Sequence, residues 1–244
     1  MKKYFTAFDL KVLAVTLMFL DHFAKYLPSY LPENLDLIFR YAARIVAPIF
    51  FFLAVESYFH TKNKKKYIIR LYLAAAIMAV GNLIMSLLVT NEFKLSYYVY
   101  LGQNIFLTIA IGVSIVACFE WVKKMSGYNK LIPLFVIYLL SIAGLFVESS
   151  IFGLVMFYIF YFFRGKKYLF VVYSILPILM LIWQLIFYQN SFWIHDYRWF
   201  VLSAIPFLLL YNGKRGRSFK YFFYIFYPIH IWILYYLSYA LLLK

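Results

Sequence analysis

The chain has 244 residues, of which 66% are hydrophobic and only 14% are charged. Its mean hydropathy of +0.82 exceeds what a soluble domain of this length needs for its core. A net charge of +15 on a soluble protein would suggest nucleic-acid binding. Here the cations lie in short connections between apolar blocks, the pattern that orients membrane helices. We therefore expect an all-α, polytopic membrane helical bundle, a single domain over residues 1–244, with the lipid bilayer and no nucleic acid as partner.

Nine apolar segments follow one another along the chain and predict about nine transmembrane helices. Crossing the hydrocarbon core takes about 20 helical residues, so the fifth, sixth and eighth segments are short and can be tilted, re-entrant or paired as a hairpin. In chain order the segments are 8–27, 35–59, 67–89, 97–119, 131–147, 149–163, 168–187, 199–211 and 219–243.

Lysine and arginine cluster in every second connection, and such clusters accumulate on the cytoplasmic side of a membrane. This alternation predicts a multi-pass protein of the cell membrane with its N-terminus cytoplasmic and its C-terminus extracytoplasmic. Lys65 and Lys214 are then cytoplasmic. The intervening connections carry Glu33 with Asp36, Glu92 with Lys94, Glu148, and Asp196 near Arg198.

The first segment contains three ionisable residues, Asp21, His22 and Lys25, and for this reason we expect a span rather than a signal peptide. Asp21 and Lys25 are four positions apart on one helical face and can neutralise each other. His22 points about 100° away from Asp21. Because a neutral imidazole near pH 7 is suited to moving a proton, we expect His22 to be functional.

The second segment contains two arginines one helical turn apart, Arg40 and Arg44. Arg40 lies close enough to the segment's start to reach the headgroups. Arg44 lies deeper, and we expect it to face Asp21, Glu56 or an anionic ligand. Pro48 removes the hydrogen bond to the Arg44 carbonyl, so a kink is expected there. A solvated Glu56, neutralised by the basic loop, is the expectation for that carboxylate.

Two later segments carry further polar residues. Gln103, Asn104, Thr108 and Gly112 form a small-polar stripe that is more typical of helix packing than of chemistry. His230 lies near the middle of the last segment. A histidine in hydrocarbon is costly, so we expect it to face a cavity. Cys118 is the only cysteine, which excludes an intrachain disulfide and a cysteine-based metal site.

These residues resemble the TraX family, named for an inner-membrane protein associated with N-terminal acetylation of conjugative pilin. They resemble, more distantly, the larger set of membrane acyltransferases that includes the acyltransferase-three group and heparan-alpha-glucosaminide N-acetyltransferase. The family commonly has glycines where this chain has Ala43 and Ser57. The matching residues are Leu10-Lys11 through Met18 to Asp21-His22, Arg44-Ile45 with Pro48-Ile49-Phe50 and Glu56, Thr61 with the basic run to Arg70-Leu71, Gln103-Asn104-Ile105 with Thr108 and Gly112, and Phe223-Tyr224 through Tyr227-Pro228 to His230.

The resemblance implies an acyltransferase that moves an acetyl or other acyl group from cytoplasmic acyl-CoA to an acceptor at or beyond the outer face of the membrane. The acceptor is an amine or hydroxyl on a protein, glycan or lipid. His22 would be the base or would carry the acyl group, assisted by Asp21 and Arg44. The residues expected to bind the donor are Arg40, Arg44, Arg70, Asn104 and His230.

Two other functions fit the same residues. One is a small transporter or proton-relay subunit that uses Asp21, Arg44 and His230 without acyl transfer. The other is a structural partner in a larger secretion or conjugation machine. An enzyme should turn over thioester in detergent, whereas a transporter should need a gradient.

Overall fold

The structure is a computed structural model that describes residues 3–32, 34–90, 103–188, 197–218 and 220–242. The predictions for Glu33, for Glu92 with Lys94, for Asp196 and for the start of the fourth segment lie outside these residues. In the described chain the α-helices are α1 Ala7–Tyr26, α2 Leu35–Ala42, α3 Val46–His60, α4 Lys64–Thr90, α5 Ile105–Val122, α6 Leu131–Leu145, α7 Ser150–Phe162, α8 Leu169–Phe187, α9 Ile205–Leu209 and α10 Lys220–Leu242.

The prediction of an all-helical membrane protein is confirmed. Among the described residues, five helical stretches are long and apolar enough to cross a membrane. They are Leu35–His60, Lys64–Val89, Ile105–Val122, Gly127–Leu145 and Leu169–Phe187. Helices also occupy the other predicted segments, and Ser150–Phe162 and Arg198–Leu209 are short, as expected. The count of nine spans and the orientation of the termini stay predictions.

The surface of α4 shows the apolar stripe expected of a helix that faces lipid. Five of its exposed large apolar residues recur at spacings of three or four, which places them on one face of the helix. Leu88 is 67% exposed and Ile77 is 61% exposed. The stripe consists of Leu73, Ile77, Val80, Ile84 and Leu88.

The second predicted segment is interrupted where its proline predicts a break. α2 ends at Ala42, a 3₁₀ turn covers Ala43–Ile45, and α3 begins at Val46. Pro48 has no N–H for the carbonyl of Arg44, and its ring crowds that carbonyl. The tighter turn therefore includes Arg44 itself, so the Arg44 side chain projects from a part of the backbone that is not regular α-helix.

The chain divides into two compact units, each described here by itself. Unit 1 comprises Met1–Phe50 and Gly165–Lys244, and unit 2 comprises Phe51–Arg164. The prediction of one membrane domain stays a prediction.

In unit 2, α5 packs against α4, α6 and α7. A Cβ at Gly112 would collide with the ring of Phe157, so the absence of a side chain lets α5 and α7 approach closely. Thr108 is 4% exposed on the same helix. The small-polar stripe is thus a packing surface, as its composition indicated.

In unit 1, α1 packs against α2, against the 3₁₀ turn that holds Arg44, and against α10. The start of α1 is fixed by a capping box, in which the Asp9 carboxylate accepts from Thr6 N at 2.8 Å and Thr6 Oγ1 accepts from Asp9 N at 3.3 Å. The segment before α10 runs beside this cap. Ala7 N donates to the Lys214 carbonyl at 2.9 Å and Phe8 N to that of Arg215 at 3.1 Å.

Candidate functional site

Two histidines that are 208 positions apart in the chain meet in unit 1. His22 Nδ1 lies 2.8 Å from His230 Nε2, and the ring centroids are 5.0 Å apart. α1 supplies His22 and α10 supplies His230. His230 is 5% exposed, and its Nδ1 lies 2.7 Å from the Phe226 carbonyl. His230 is thus partnered by His22 and by its own helix, whereas the sequence led us to expect that it faces a cavity.

Aromatic rings hold both imidazoles in place. Phe226 stacks on His230 with centroids 4.8 Å apart and an 18° angle between planes. Phe19 lies 6.1 Å from the same ring. Tyr227 meets His22 edge-on at 6.3 Å. No described residue forms a hydrogen bond with Nε2 of His22, so this nitrogen is the one that can act on a ligand.

Asp21 and Arg44 form an ion pair beside the histidines. Arg44 Nη2 lies 3.6 Å from Asp21 Oδ1, and both side chains are about one quarter exposed. Arg44 was predicted to face Asp21, Glu56 or a ligand, and the structure shows the first of these. Lys25, which shares a helical face with Asp21, has its ammonium 5.6 Å from the Tyr26 ring centroid. At 3.6 Å the Asp21–Arg44 pair lacks the short contact of a strong charge-assisted hydrogen bond.

The two arginines are linked through the backbone and through an aromatic ring. Arg44 Nε donates to the Arg40 carbonyl at 3.0 Å, and the Arg44 guanidinium lies 4.8 Å from the Tyr197 ring centroid. Arg40 Nε is 3.9 Å from Asp36 Oδ2. That Nε is buried and has no hydrogen-bond partner among the described residues. Arg40 also forms a side-chain hydrogen bond with Tyr197. In the described part of the chain the Arg44 guanidinium makes one hydrogen bond, to the Arg40 carbonyl, so it retains donors for a ligand.

Lys11 is a further cation of unit 1, which the sequence analysis named only within the family resemblance and gave no role. It is only partly exposed, its ammonium lies 5.6 Å from the Phe223 ring centroid, and Arg215 is the charged group acting on it. No described carboxylate forms an ion pair with it. The signal was present in the sequence, because Lys11 and His22 are eleven residues apart, three turns of helix, and so share a face of α1.

A glycine fixes Arg215 near Lys11. Gly216 has a φ of +70°, a conformation that favours glycine. A Cβ there would also clash with Thr6 Oγ1. The backbone at Gly216 can therefore lie directly against the start of α1, which brings the neighbouring Arg215 to the first turns of that helix. The exposed Arg215 side chain donates to Ser218 Oγ at 2.7 Å and its charge acts on Lys11, and two neighbouring cations favour an anion.

The other predicted donor-binding residues, Arg70 and Asn104, belong to unit 2. Asn104 Oδ1 accepts from Leu107 N at 3.2 Å and so caps α5, while its Nδ2 donates to the Ala75 carbonyl at 2.8 Å. Its contacts are those of a helix cap tied to α4. Arg70 Nε donates to the Lys66 carbonyl at 3.2 Å. A role for either in binding a donor stays a prediction.

Glu56 is also in unit 2, and the expectation that it is solvated is wrong. Its carboxylate accepts two hydrogen bonds from Arg164, at 2.6 Å from Nε and 3.2 Å from Nη2, and it is 15% exposed. The guanidinium also lies 4.3 Å from the Phe59 ring centroid. A bidentate pair of this kind needs an arginine from a distant basic connection, which sequence spacing could not identify.

A second polar cluster of unit 2 surrounds Glu120. Its Oε1 accepts from Lys123 Nζ at 2.8 Å and from the Tyr161 hydroxyl at 2.8 Å. The hydrogen bond to Glu120 raises the pKa of Lys123 above its ordinary value. Lys123 follows the last residue of α5, where a cation also complements the helix dipole. These contacts satisfy the carboxylate and favour a structural role.

Comparison with known proteins identifies the family of the chain. The family model described as "TraX protein" matches residues 8–238, a stretch that includes every predicted site residue. A relative from Dichelobacter nodosus, described as "Probable fimbrial assembly protein FimC, serogroup H1", is 26% identical over 237 residues, with 94% of each chain covered. No solved structure matches the chain. Because the family model covers nearly the whole chain, this protein belongs to the TraX family.

Proposed function

We propose that this protein is a membrane acyltransferase that moves an acetyl or other acyl group from acyl-CoA to an amine or hydroxyl acceptor at or beyond the membrane. The observation that carries the proposal is His22. Its Nδ1 is engaged by His230 at 2.8 Å, while Nε2 is left to act on a ligand inside an apolar helical unit. An imidazole in that state is suited to take a proton from an attacking nucleophile.

The groups around His22 supply the rest of an acyl-transfer site. The nucleophile attacks the thioester carbonyl, and the carbonyl oxygen becomes an oxyanion that needs hydrogen-bond donors. The charges of both Lys25 and Arg44 act on His22, and of the two only the guanidinium of Arg44 can hold an oxyanion through two N–H groups. Asp21, 3.6 Å from Arg44, holds the guanidinium without occupying all of its donors. His22 can alternatively carry the acyl group itself.

Lys11 and Arg215 support an entry site for the donor. Eleven residues of helix rise about 16 Å, so Lys11 lies about that distance from His22 along the same face of α1, and the charge of Arg215 acts on Lys11. This length is comparable to the extended pantetheine arm of CoA. Phosphates held at Lys11 and Arg215 would let the thioester reach His22. This placement uses residues of unit 1 alone, and we propose it for the donor phosphates instead of a site at Arg70 in unit 2.

The relative's name bears on the acceptor. That protein is described as a probable fimbrial assembly protein, and a fibre subunit offers an N-terminal amine and side-chain hydroxyls. We propose a surface-fibre subunit as the first acceptor class to test, with glycans and lipids as the others.

The test is release of free thiol from acetyl-CoA by purified protein in detergent, with and without each acceptor class. We expect acceptor-dependent release that disappears in His22→Ala and persists in His60→Ala, a change to an exposed histidine of unit 2. The proposal would be contradicted if the wild type releases no thiol, or if His22→Ala releases as much thiol as the wild type.

A proton-relay or transporter function is the second candidate, because a hydrogen-bonded histidine pair can also pass protons. It predicts that proteoliposomes show gradient-dependent flux that depends on Asp21, Arg44 and His230, without thioester turnover. Flux together with an absence of thiol release would favour it. Absence of both would favour a non-catalytic partner in an assembly machine.

A further inference from the structure

The side-chain nitrogens of His230 are both engaged, and their partners fix where its protons lie. Nδ1 lies 2.7 Å from the Phe226 carbonyl, and Nε2 lies 2.8 Å from Nδ1 of His22. A carbonyl oxygen has no proton to give. Nδ1 of His230 must therefore carry the hydrogen of that bond.

The protonation of His22 follows from that of His230. A neutral imidazole bears one hydrogen, so in neutral His230 the Nε2 atom has only a lone pair and must accept. Nδ1 of His22 is then the donor, and Nε2 of His22 keeps its lone pair. An imidazole free in water favours the opposite tautomer, with its hydrogen on Nε2. The chain of contacts from the Phe226 carbonyl thus selects the form of His22 that can act as a base at Nε2.

We propose that His230 is a positioning residue that fixes the basic tautomer of His22 and shares its proton during acyl transfer. This inference rests on the proposed function. It adds to that function a reason why the second histidine is needed, and it assigns His230 to proton handling rather than to donor binding.

The proton movements balance as follows. Nε2 of His22 takes the proton of the acceptor amine or hydroxyl as the nucleophile bonds to the thioester carbon. The proton on Nδ1 of His22 then moves to Nε2 of His230, which becomes the imidazolium while its Nδ1–H stays on the Phe226 carbonyl. When the C–S bond breaks, the CoA sulfur takes the proton from Nε2 of His22, and His230 returns a proton to Nδ1.

The packing of His230 suits this role. It is 5% exposed, and its ring is stacked against Phe226 at 4.8 Å. Water therefore has little access to compete for Nε2. A ring held in one plane keeps the 2.8 Å contact to His22, and a geometry fixed in advance lowers the reorganisation needed for proton transfer.

Two substitutions separate positioning from mere packing. His230→Gln retains an amide oxygen that can accept from Nδ1 of His22, but it cannot take up a proton. His230→Leu fills similar space and can do neither. We expect His230→Leu to lose at least about tenfold in thiol release, and His230→Gln to recover part of that loss. The thermal unfolding midpoint of each variant in detergent reports any loss of folding.

The deciding measurement is the ¹⁵N spectrum of histidine side chains in labelled protein, which distinguishes the two imidazole tautomers. His22→Ala and His60→Gln assign the signals. We expect His22 with its hydrogen on Nδ1 in the wild type and in His230→Gln, and on Nε2 in His230→Leu. A wild-type His22 with its hydrogen on Nε2, or a His22 tautomer that is unchanged in His230→Leu, overturns the inference.

The spectrum also separates this inference from the proposed function. If the wild type releases no thiol, the proposed acyl transfer is refuted. The catalytic part of the inference is then refuted too, whichever tautomer His22 has. If the wild type is active but the tautomer is unaffected by His230→Leu, acyl transfer stands and only the role of His230 is refuted.

Discussion

The charged side chains of the two units differ in how tightly protein partners hold them. In unit 2, Arg164 binds Glu56 at 2.6 and 3.2 Å, and Glu120 accepts two bonds at 2.8 Å. In unit 1, the Arg44–Asp21 pair is 3.6 Å apart and the Arg40–Asp36 pair 3.9 Å.

This difference indicates where a ligand would bind. A short bidentate pair satisfies both charges within an apolar environment. A longer pair leaves N–H donors available, and Lys11 with Arg215 places two cations together without a described carboxylate paired to Lys11. Unit 2 thus carries tightly held ion pairs, and unit 1 carries the charges that we propose bind a ligand. The substitutions below test this contrast.

The largest effect is expected for His22→Ala. General-base catalysis contributes about 10²- to 10⁴-fold, so thiol release should fall at least about 100-fold. The protein should insert and purify normally, because the imidazole pairs only with His230 among the described residues. Activity within a few-fold of wild type would remove His22 from the mechanism.

Arg44→Lys should lower acyl transfer by about tenfold or more, because an ammonium cannot hold two oxygens as a guanidinium does. Initial rates and donor affinity measured on the purified variant check this. The control is the exchange of Arg44→Asp with Asp21→Arg. Recovery of activity by that exchange, or full activity in Arg44→Lys, would show that the arginine is a scaffold.

Lys11→Met should raise the KM for acetyl-CoA by about tenfold with kcat little changed, as expected for the loss of one charged contact to a phosphate. With acetyl-pantetheine, a donor without phosphates, the same variant and the wild type should have equal KM values. Lys62→Met, an exposed lysine of unit 2, is the matched control. An equal KM in Lys11→Met and the wild type would place the donor phosphates elsewhere.

Arg164→Gln should reduce stability and leave the chemistry intact. Removing one partner of a hydrogen-bonded charge pair costs about 1–3 kcal/mol, so the thermal unfolding midpoint should fall while activity at 25 °C persists. Lys166→Gln, at an exposed position nearby, should change neither. Lost activity with an unchanged midpoint would show that unit 2 also takes part in the reaction.

The smallest effect is expected at Asn104. Asn104→Ala removes the cap of α5 and should cost about 1 kcal/mol in stability, whereas Asn104→Ser keeps a capping oxygen and loses the bond to the Ala75 carbonyl. Donor KM should be unchanged in Asn104→Ser. A selective rise in KM would instead support the role in donor binding that the family resemblance implies.

The sequence determined the helical segments and the break at Arg44. Hydropathy requires helices wherever about 20 apolar residues must satisfy their own backbone, and Pro48 acts on a carbonyl only four residues away. Both effects are local, so pattern reading found them. The sequence also identified His22, Asp21 and Arg44 as ionisable groups in apolar segments, where each needs a polar partner, a cavity or a function.

Only the tertiary structure decided which of these groups meet. The contact between His22 and His230 depends on the packing of α1 against α10, and the contact between Glu56 and Arg164 joins residues 108 positions apart. No periodicity encodes such pairs, because many long-range pairings satisfy the same hydropathy pattern. For Lys11 the sequence showed the shared helical face with His22, but the neighbouring Arg215 is set by the turn at Gly216, whose backbone lies against Thr6.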